Sequence, residues 1–290
     1  VLDAIHILLT LDCTGECDHC FLYCKPGAGG TFTLQQVKTV LDECRKLGAI
    51  DWIYYEGGEP LLYYPLLLES VRMAHGGGFQ TGVVTNCYWA TSEPDAELWL
   101  RPLHDAGLTS LSVSNDYLHN DDPAASPSPN ALQVARRLGI DADEICIKKP
   151  NPDNGASSGD VMFRGRAADK LTVGMPLRRP EEFTVCDREE LTDPKRVHVD
   201  AFGNVHICQG ISMGNMWRVP LTRMVKDYRP AEHPVIGPLL KGGPLELAKR
   251  FHVKLSDGYV DACHLCFDTR RALLDRLPEW LTPKQVYGSA

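Results

Sequence analysis

From Ala4 to Lys148 the chain repeats one pattern: a short apolar run, a loop, then a segment whose apolar residues recur at helical spacing. Residues 4–11 (AIHILLTL) read as a buried strand that ends at Asp12-Cys13. Residues 33–47 place Leu34, Val37, Val40, Leu41 and Cys44 on one helical face, with Thr33 suited to cap the start and Gly48 to end it. The pattern returns at 50–55 with a helix over about 65–75, at 79–85 with a helix over about 94–106, at 108–114 with a helix over about 130–138, and at 144–148. Strands that alternate with helices need right-handed crossovers, which gives a parallel sheet with its sites at the strands' C-terminal ends.

After Pro150 the alternation weakens. Residues 151–160 (NPDNGASSGD) have loop chemistry, and no clear fifth helix precedes Val161-Met162-Phe163. From Arg196 two short strands, 196–200 and 204–208, read as a hairpin joined through Ala201-Phe202-Gly203. A boundary near 180 is therefore expected, dividing the chain into units 1–180 and 181–290.

The 290 residues carry 38 acidic and 30 basic side chains, a net charge of −8, with no run of Lys or Arg longer than two. That leaves no footprint for a phosphate backbone, and nucleic acid is not an expected partner. No signal-peptide pattern opens the sequence and no apolar run approaches the ~20 residues of a membrane span. A reducing, cytoplasmic setting is expected, where eleven cysteines mean metal or redox chemistry rather than cross-links. The chain begins at Val1, which is compatible with a trimmed leader.

Cys13, Cys17 and Cys20 are spaced by three and then two residues in CTGECDHC, directly after the first strand. Three thiolates on one short loop can hold a cubane cluster and leave its fourth iron without a protein ligand. A structural zinc site wants four ligands, and Cys24 can supply one, so the triplet alone leaves zinc, a closed cluster and an open cluster standing. A second motif, Glu56-Gly57-Gly58-Glu59-Pro60, follows the second strand on the same rim, with glycines that allow close approach to the backbone. The two motifs together resemble the radical S-adenosylmethionine (radical SAM) superfamily, over residues 4 to about 168.

That resemblance implies roles position by position. Cys13, Cys17 and Cys20 match the ligands of a [4Fe-4S] cluster whose open iron is chelated by S-adenosylmethionine, and His19 fills the aromatic slot before the last cysteine. Gly57, Gly58, Glu59 and Pro60 match the motif that holds the methionine amino group. Asn86 in Thr85-Asn86-Cys87 matches the TNG position, with Cys87 in place of the glycine. Ser114 in SVSND resembles a serine that contacts the ribose region. Gly165-Arg166-Ala167 resembles a triplet of peptide-modifying members.

Cys186, then Gly203, Cys208 and the Cys263/Cys266 pair can build a four-thiolate site if a hairpin brings Cys208 to the CxxC loop. This resembles the twitch extension of radical SAM enzymes, a shortened form of the SPASM extension, and implies a second, auxiliary [4Fe-4S] cluster. A four-cysteine zinc knuckle is the plainer alternative. Cys44 reads as core, and Cys24, Cys87 and Cys146 as packing rather than catalysis. Lys148 or Lys149 can pair with the cofactor's carboxylate or simply end a strand in solvent. Trp52 and Tyr54 read as core first and pocket lining second, and the remaining histidines show no metal-ligand spacing.

The fold implied by the resemblance is α/β, a partial (β/α)6 TIM-like barrel, with a small C-terminal β-hairpin plus helix module that binds the second cluster. The implied activity starts with an external one-electron donor such as flavodoxin or ferredoxin. Reductive cleavage of S-adenosylmethionine gives a 5′-deoxyadenosyl radical that abstracts hydrogen from an unactivated C-H bond. Four cysteines at the auxiliary site leave no iron open for substrate, so electron transfer is its natural role and a net oxidation, by dehydrogenation or cross-linking, is expected. The Gly165-Arg166-Ala167 triplet points to a peptide substrate, although only twelve residues precede Cys13, too few for an N-terminal leader-binding domain. The runner-up is a dehydrogenase of a small polar natural product, and a non-catalytic iron-sulfur or zinc scaffold is the reading of a different class.

Overall fold

The computed structural model describes residues 2–120, 122–154 and 161–289, so residues 155–160 of the loop expected over 151–160 lie outside the described residues. The first half alternates as expected: β1 (Ala4–Thr10), α1 (Leu34–Leu47), β2 (Trp52–Gly57), α2 (Tyr64–Gly76), β3 (Gln80–Thr85), α3 (Glu93–Asp105), β4 (Ser110–Ser114), α4 (Ser128–Arg137) and β5 (Asp141–Ile145). Thr33 caps α1 in a reciprocal capping box with Gln36, and Gly48 ends it with φ 68°. β5 begins three residues before the apolar run that predicts it. As an edge strand paired only to β4, with Ser110 opposite Asp141, it tolerates the polar residues DADE that an apolarity search passes over.

The second half adds α5 (Arg166–Lys170), β6 (Arg196–Asp200), β7 (Asn204–Cys208), β8 (Ile211–Asn215), α6 (Leu221–Asp227), α7 (Ile236–Arg250) and α8 (Ala262–Arg271). One eight-stranded sheet runs in the order β5-β4-β3-β2-β1-β6-β7-β8. β6 is parallel to β1, pairing His6 with His198, while β7 and β8 turn back antiparallel. Two expectations change here. A sequential six-stranded barrel would put the sixth parallel strand beside β5, whereas it lies on the far side of β1. The hairpin thus belongs to the same sheet as β1, and the expected boundary near 180 falls within a chain whose two parts share that sheet. α1 and α6 are also joined, because Thr222 donates to the Glu43 carboxylate from both its N-H (3.1 Å) and its hydroxyl (2.8 Å).

Alternation along the strands sorts the two faces. Ile5, Ile7, Ile53 and Tyr55 are fully buried on one face, while His6, Trp52 and Tyr54 on the other remain partly open. Trp52 and Tyr54 are therefore half-buried on the more open face of the sheet, outside the fully buried core expected for them first. Tyr54 lies across Gly82, where a Cβ would meet its ring at 2.2 Å, and stacks on His6 and Trp52.

Candidate functional site

The loop after β1 carries Cys13, Cys17 and Cys20 to one cavity of about 190 Å³, lined also by Gly57, Gly58, Asn86 and Ser114. Within the loop, the Cys20 N-H donates to the Cys17 carbonyl (3.0 Å) and the Cys24 N-H to Cys20 Sγ (3.3 Å). The Cys24 thiol also hydrogen-bonds Cys20, and with backbone N-H groups it outweighs burial and brings Cys20 down to about 6. Burial instead pushes Cys17 up to about 12. Cys24 is buried, as is Cys44, and Cys146 is exposed.

The loop is held from outside by Arg166, whose guanidinium donates to the Cys17 and Cys24 carbonyls (2.8 Å each), while its own N-H donates to the Cys20 carbonyl (2.9 Å). Gly165, at φ 60°, sits so close that a Cβ would be 2.4 Å from Phe21 Cα. Gly165-Arg166-Ala167 thus braces the cysteine loop through its backbone and the Arg166 guanidinium.

The glycines after β2 make the same kind of close approach. A Cβ on Gly57 would stand 2.1 Å from the Thr10 carbonyl oxygen, and one on Gly58 2.1 Å from that of Asp12. The Gly58 N-H donates to Thr10 (2.8 Å) and the Glu59 N-H to Asp12 (2.9 Å), so this loop is zipped to the base of the cysteine loop. Gly58→Ala is expected to cost about 1–3 kcal/mol of stability through this overlap. It is also expected to lower the iron retained per chain, read by denaturant unfolding and iron analysis.

Glu59 does not line the cavity, and neither does Pro60. Its carboxylate is fully buried and accepts from the N-H groups of Leu61 (3.0 Å) and Asn86 (2.9 Å) and from the Thr85 hydroxyl (2.9 and 3.0 Å). It locks the loop after β2 to the loop after β3, leaving the backbone of Gly57 and Gly58 as the surface of this motif that faces the cavity. Burial pushes the Glu59 carboxyl up to about 7, despite those hydrogen bonds. A folded value above the ordinary 4.5 means that the folded state holds this proton longer than the unfolded chain. Its contribution to stability is present below the unfolded value and lost as pH rises to about 7; Glu59→Gln is expected to remove that part of the slope, measured as denaturation midpoints at several pH values.

Asn86 donates to the Thr14 hydroxyl (2.8 Å) and lies 3.8 Å from Cys13 Sγ. Cys87 keeps a left-handed backbone, φ 61°, at the place where the motif has glycine. Lys148 is exposed, and Ile147 lines the cavity instead, so the lysine is not brought to the site.

The structure adds groups that sequence spacing does not show. His19 packs edge-on against His119 at 4.4 Å, and burial lowers it to about 4, which keeps it neutral. His119 Nδ1 in turn lies 3.0 Å from Asp116, whose carboxylate also accepts the Ile147 N-H. At the end of β2, Glu56 Oε1 lies 2.5 Å from His6 Nδ1 and 3.2 Å from His198 Nε2. Burial alone would raise Glu56, but the two imidazoles reverse it and hold the carboxyl well below its usual range. These three residues come from β1, β2 and β6; the one sequence signal for them is their shared strand parity.

A second cavity is lined by Cys186, Cys208, Cys263 and Cys266. The hairpin that delivers Cys208 is shaped by Asp200, which accepts from the N-H groups of Phe202 (3.0 Å) and Asn204 (2.9 Å) and pairs with buried His206 (3.0 Å). Gly203, at φ 88°, admits Trp217, whose ring a Cβ would meet at 2.4 Å. Cys263 and Cys266 lie in the first turns of α8, capped by Asp261. A tetrahedral zinc site at ~2.3 Å per bond holds its sulfurs about 3.8 Å apart. Among the described residues, no three cysteine sulfurs lie within 4.8 Å of one another, at either site. Arg164 and Arg270 are buried beside this cavity, each with an Nε that has no hydrogen-bond partner among the described residues, a setting suited to an anionic group.

Residues 7–146 match the family model for the Radical SAM superfamily, and this part of the chain is a radical SAM domain, an enzyme domain. The protein is similar to YydG of Bacillus subtilis (strain 168), assigned to peptide biosynthesis, with 23% identity over 133 residues, 46% of this chain and 42% of that protein. It is also similar to an S-adenosylmethionine-dependent nucleotide dehydratase of Selenomonas ruminantium, 29% identical over 82 residues, 28% of this chain and 29% of that protein. These alignments span less than half of either relative. Among solved structures, BtrN in complex with AdoMet and 2-DOIA shares the fold, with TM-score 0.55 and 18% identity over 78% of this chain and 83% of that one.

Proposed function

We propose that the protein is a radical SAM enzyme with two iron-sulfur sites that carries out a net two-electron oxidation, a dehydrogenation or cross-link, on a peptide. The observation that carries the oxidation is the convergence of Cys186, Cys208, Cys263 and Cys266 on one cavity beside the buried Arg164 and Arg270. Similarity to YydG supports the peptide. When bound, a [4Fe-4S] cluster with S-adenosylmethionine supplies a 5′-deoxyadenosyl radical for hydrogen abstraction, and a second, fully ligated cluster supplies a one-electron acceptor.

Cys13, Cys17 and Cys20 hold the first cluster, on a loop that Arg166 and the glycines after β2 keep in place. Gly57 and Gly58 present backbone to the cofactor, and Asn86 and Ser114 present polar side chains from the ends of β3 and β4. Glu56, kept anionic by His6 and His198, sets a negative charge on the substrate side. Eleven free thiols favour a reducing, cytoplasmic setting, and among the described residues no helix is long and apolar enough to cross a membrane.

A second reading is dehydrogenation of a small polar molecule. It is favoured by the polar character of the open sheet face, where Trp52, Tyr54 and His6 stack and, further along the sheet, the Ser112 hydroxyl donates to Asp143 (2.7 Å). Mass spectrometry after anaerobic incubation with peptides from neighbouring genes, and with amino sugars or cyclitols, separates the two. Loss of two hydrogens from a peptide is expected. Turnover of the small molecules alone would replace the first reading with the second, and no consumption of S-adenosylmethionine at all would leave a scaffold.

A further inference from the structure

We propose that Arg164 and Arg270 set the potential of the second metal site, making it an electron acceptor rather than a clasp. This rests on the reading of that site as a cluster. Arg164 is 3% exposed, and its Nη1 donates both to Cys208 Sγ (3.1 Å) and to Glu189 (3.0 Å). Its guanidinium stacks over Phe21 of the first cysteine loop, 5.4 Å from the ring centre. Two residues on, Arg166 grips that same loop. A single Arg-Gly-Arg segment therefore touches both cysteine sites.

Arg270 is 1% exposed and sits on the other side, donating to the Gln209 carbonyl (2.9 Å) and the Tyr287 hydroxyl (3.1 Å) and hydrogen-bonding Cys266. Buried guanidinium groups without enough anionic partners are costly, and among the described residues Glu189 is the one acidic side chain paired to Arg164. A cluster held by four thiolates carries a net negative charge that grows by one on reduction. Two fixed positive charges in a low-dielectric site stabilise the reduced form over the oxidised one, and a hydrogen bond to a ligating sulfur acts in the same direction. Glu189, 10% exposed and also 3.6 Å from Arg196, opposes them by offsetting the charge of Arg164.

The test is the midpoint potential of the second cluster in the anaerobically reconstituted full chain carrying Cys13→Ala, Cys17→Ala and Cys20→Ala, followed by electron paramagnetic resonance. Arg164→Gln is expected to shift the reduction equilibrium at least ten-fold toward the oxidised form, about 59 mV for one electron. Glu189→Gln is expected to shift it the opposite way, and Arg164→Lys to restore most of the parent value. Where Arg164→Gln fails to retain iron, the rise in Glu189→Gln carries the test. Potentials that stay put, or shifts of the same sign in both glutamine variants, overturn the inference while the cluster stands. Zinc instead of iron in the parent chain overturns the cluster reading and this inference with it.

Discussion

Alanine at Cys13, Cys17 and Cys20 together is expected to abolish formation of 5′-deoxyadenosine and to remove about four of about eight irons per chain, the content of two cubanes. The loss should be complete, because among the described residues that line the first cavity the one other thiol, Cys24, is buried and its N-H is tied to Cys20. The remaining irons should survive, since Cys208 ends β7 and the Cys263/Cys266 pair lies on α8, away from the altered loop. Anaerobic reconstitution, iron analysis and chromatography of the nucleoside products check both parts. Continued formation of 5′-deoxyadenosine by the triple variant would remove the catalytic role proposed for this domain.

Replacing Cys263 and Cys266 by alanine should separate initiation from completion. The first cavity is built from the C-terminal ends of β2 to β5 and the loops after β1 to β5, and among the described residues it takes none from α8, so 5′-deoxyadenosine should still form. Oxidised product should not. A substrate radical that cannot pass on its second electron is quenched or takes hydrogen back, and the turnover is uncoupled. The fold must be checked by circular dichroism, because α8 packs on α7 and cluster ligation stabilises the tail by mass action. Normal product yield from a folded variant would make the second site a clasp and the reaction redox-neutral.

The parts of the molecule that were legible along the chain are those whose cause is local. Thr33 and Gly48 mark the ends of α1 because a cap acts over three or four residues. Cys13, Cys17 and Cys20 stand out because three cysteines within eight positions need no knowledge of the rest of the fold. The hairpin over 196–208 shows in its own turn and alternation, and a hairpin there can carry Cys208 to the Cys263/Cys266 pair, with which it shares a cavity.

Other roles were misplaced because side-chain direction depends on neighbours. Glu59 reads as a cofactor contact, yet three inward donors, Leu61, Asn86 and Thr85, claim its carboxylate. Lys148 reads as a site residue only while the strand is thought to run to it; once β5 ends at Ile145, the lysine is exposed and Ile147 lines the cavity.

By itself, then, the sequence determined the strand-helix alternation, the caps and the two cysteine sets, because each is written in spacings of a few residues. Only the tertiary structure decided that β6 lies against β1, and from this follow the meeting of His6, Glu56 and His198 and the sharing of one sheet by both cysteine sites. Likewise, only folding brought Arg164 and Arg166 to the two sets of cysteines from more than twenty positions away from most of them. The physical reason is the same in each case. Strand order and register choose which side chains share a face, and a slip of one residue would turn every one of them to the other side.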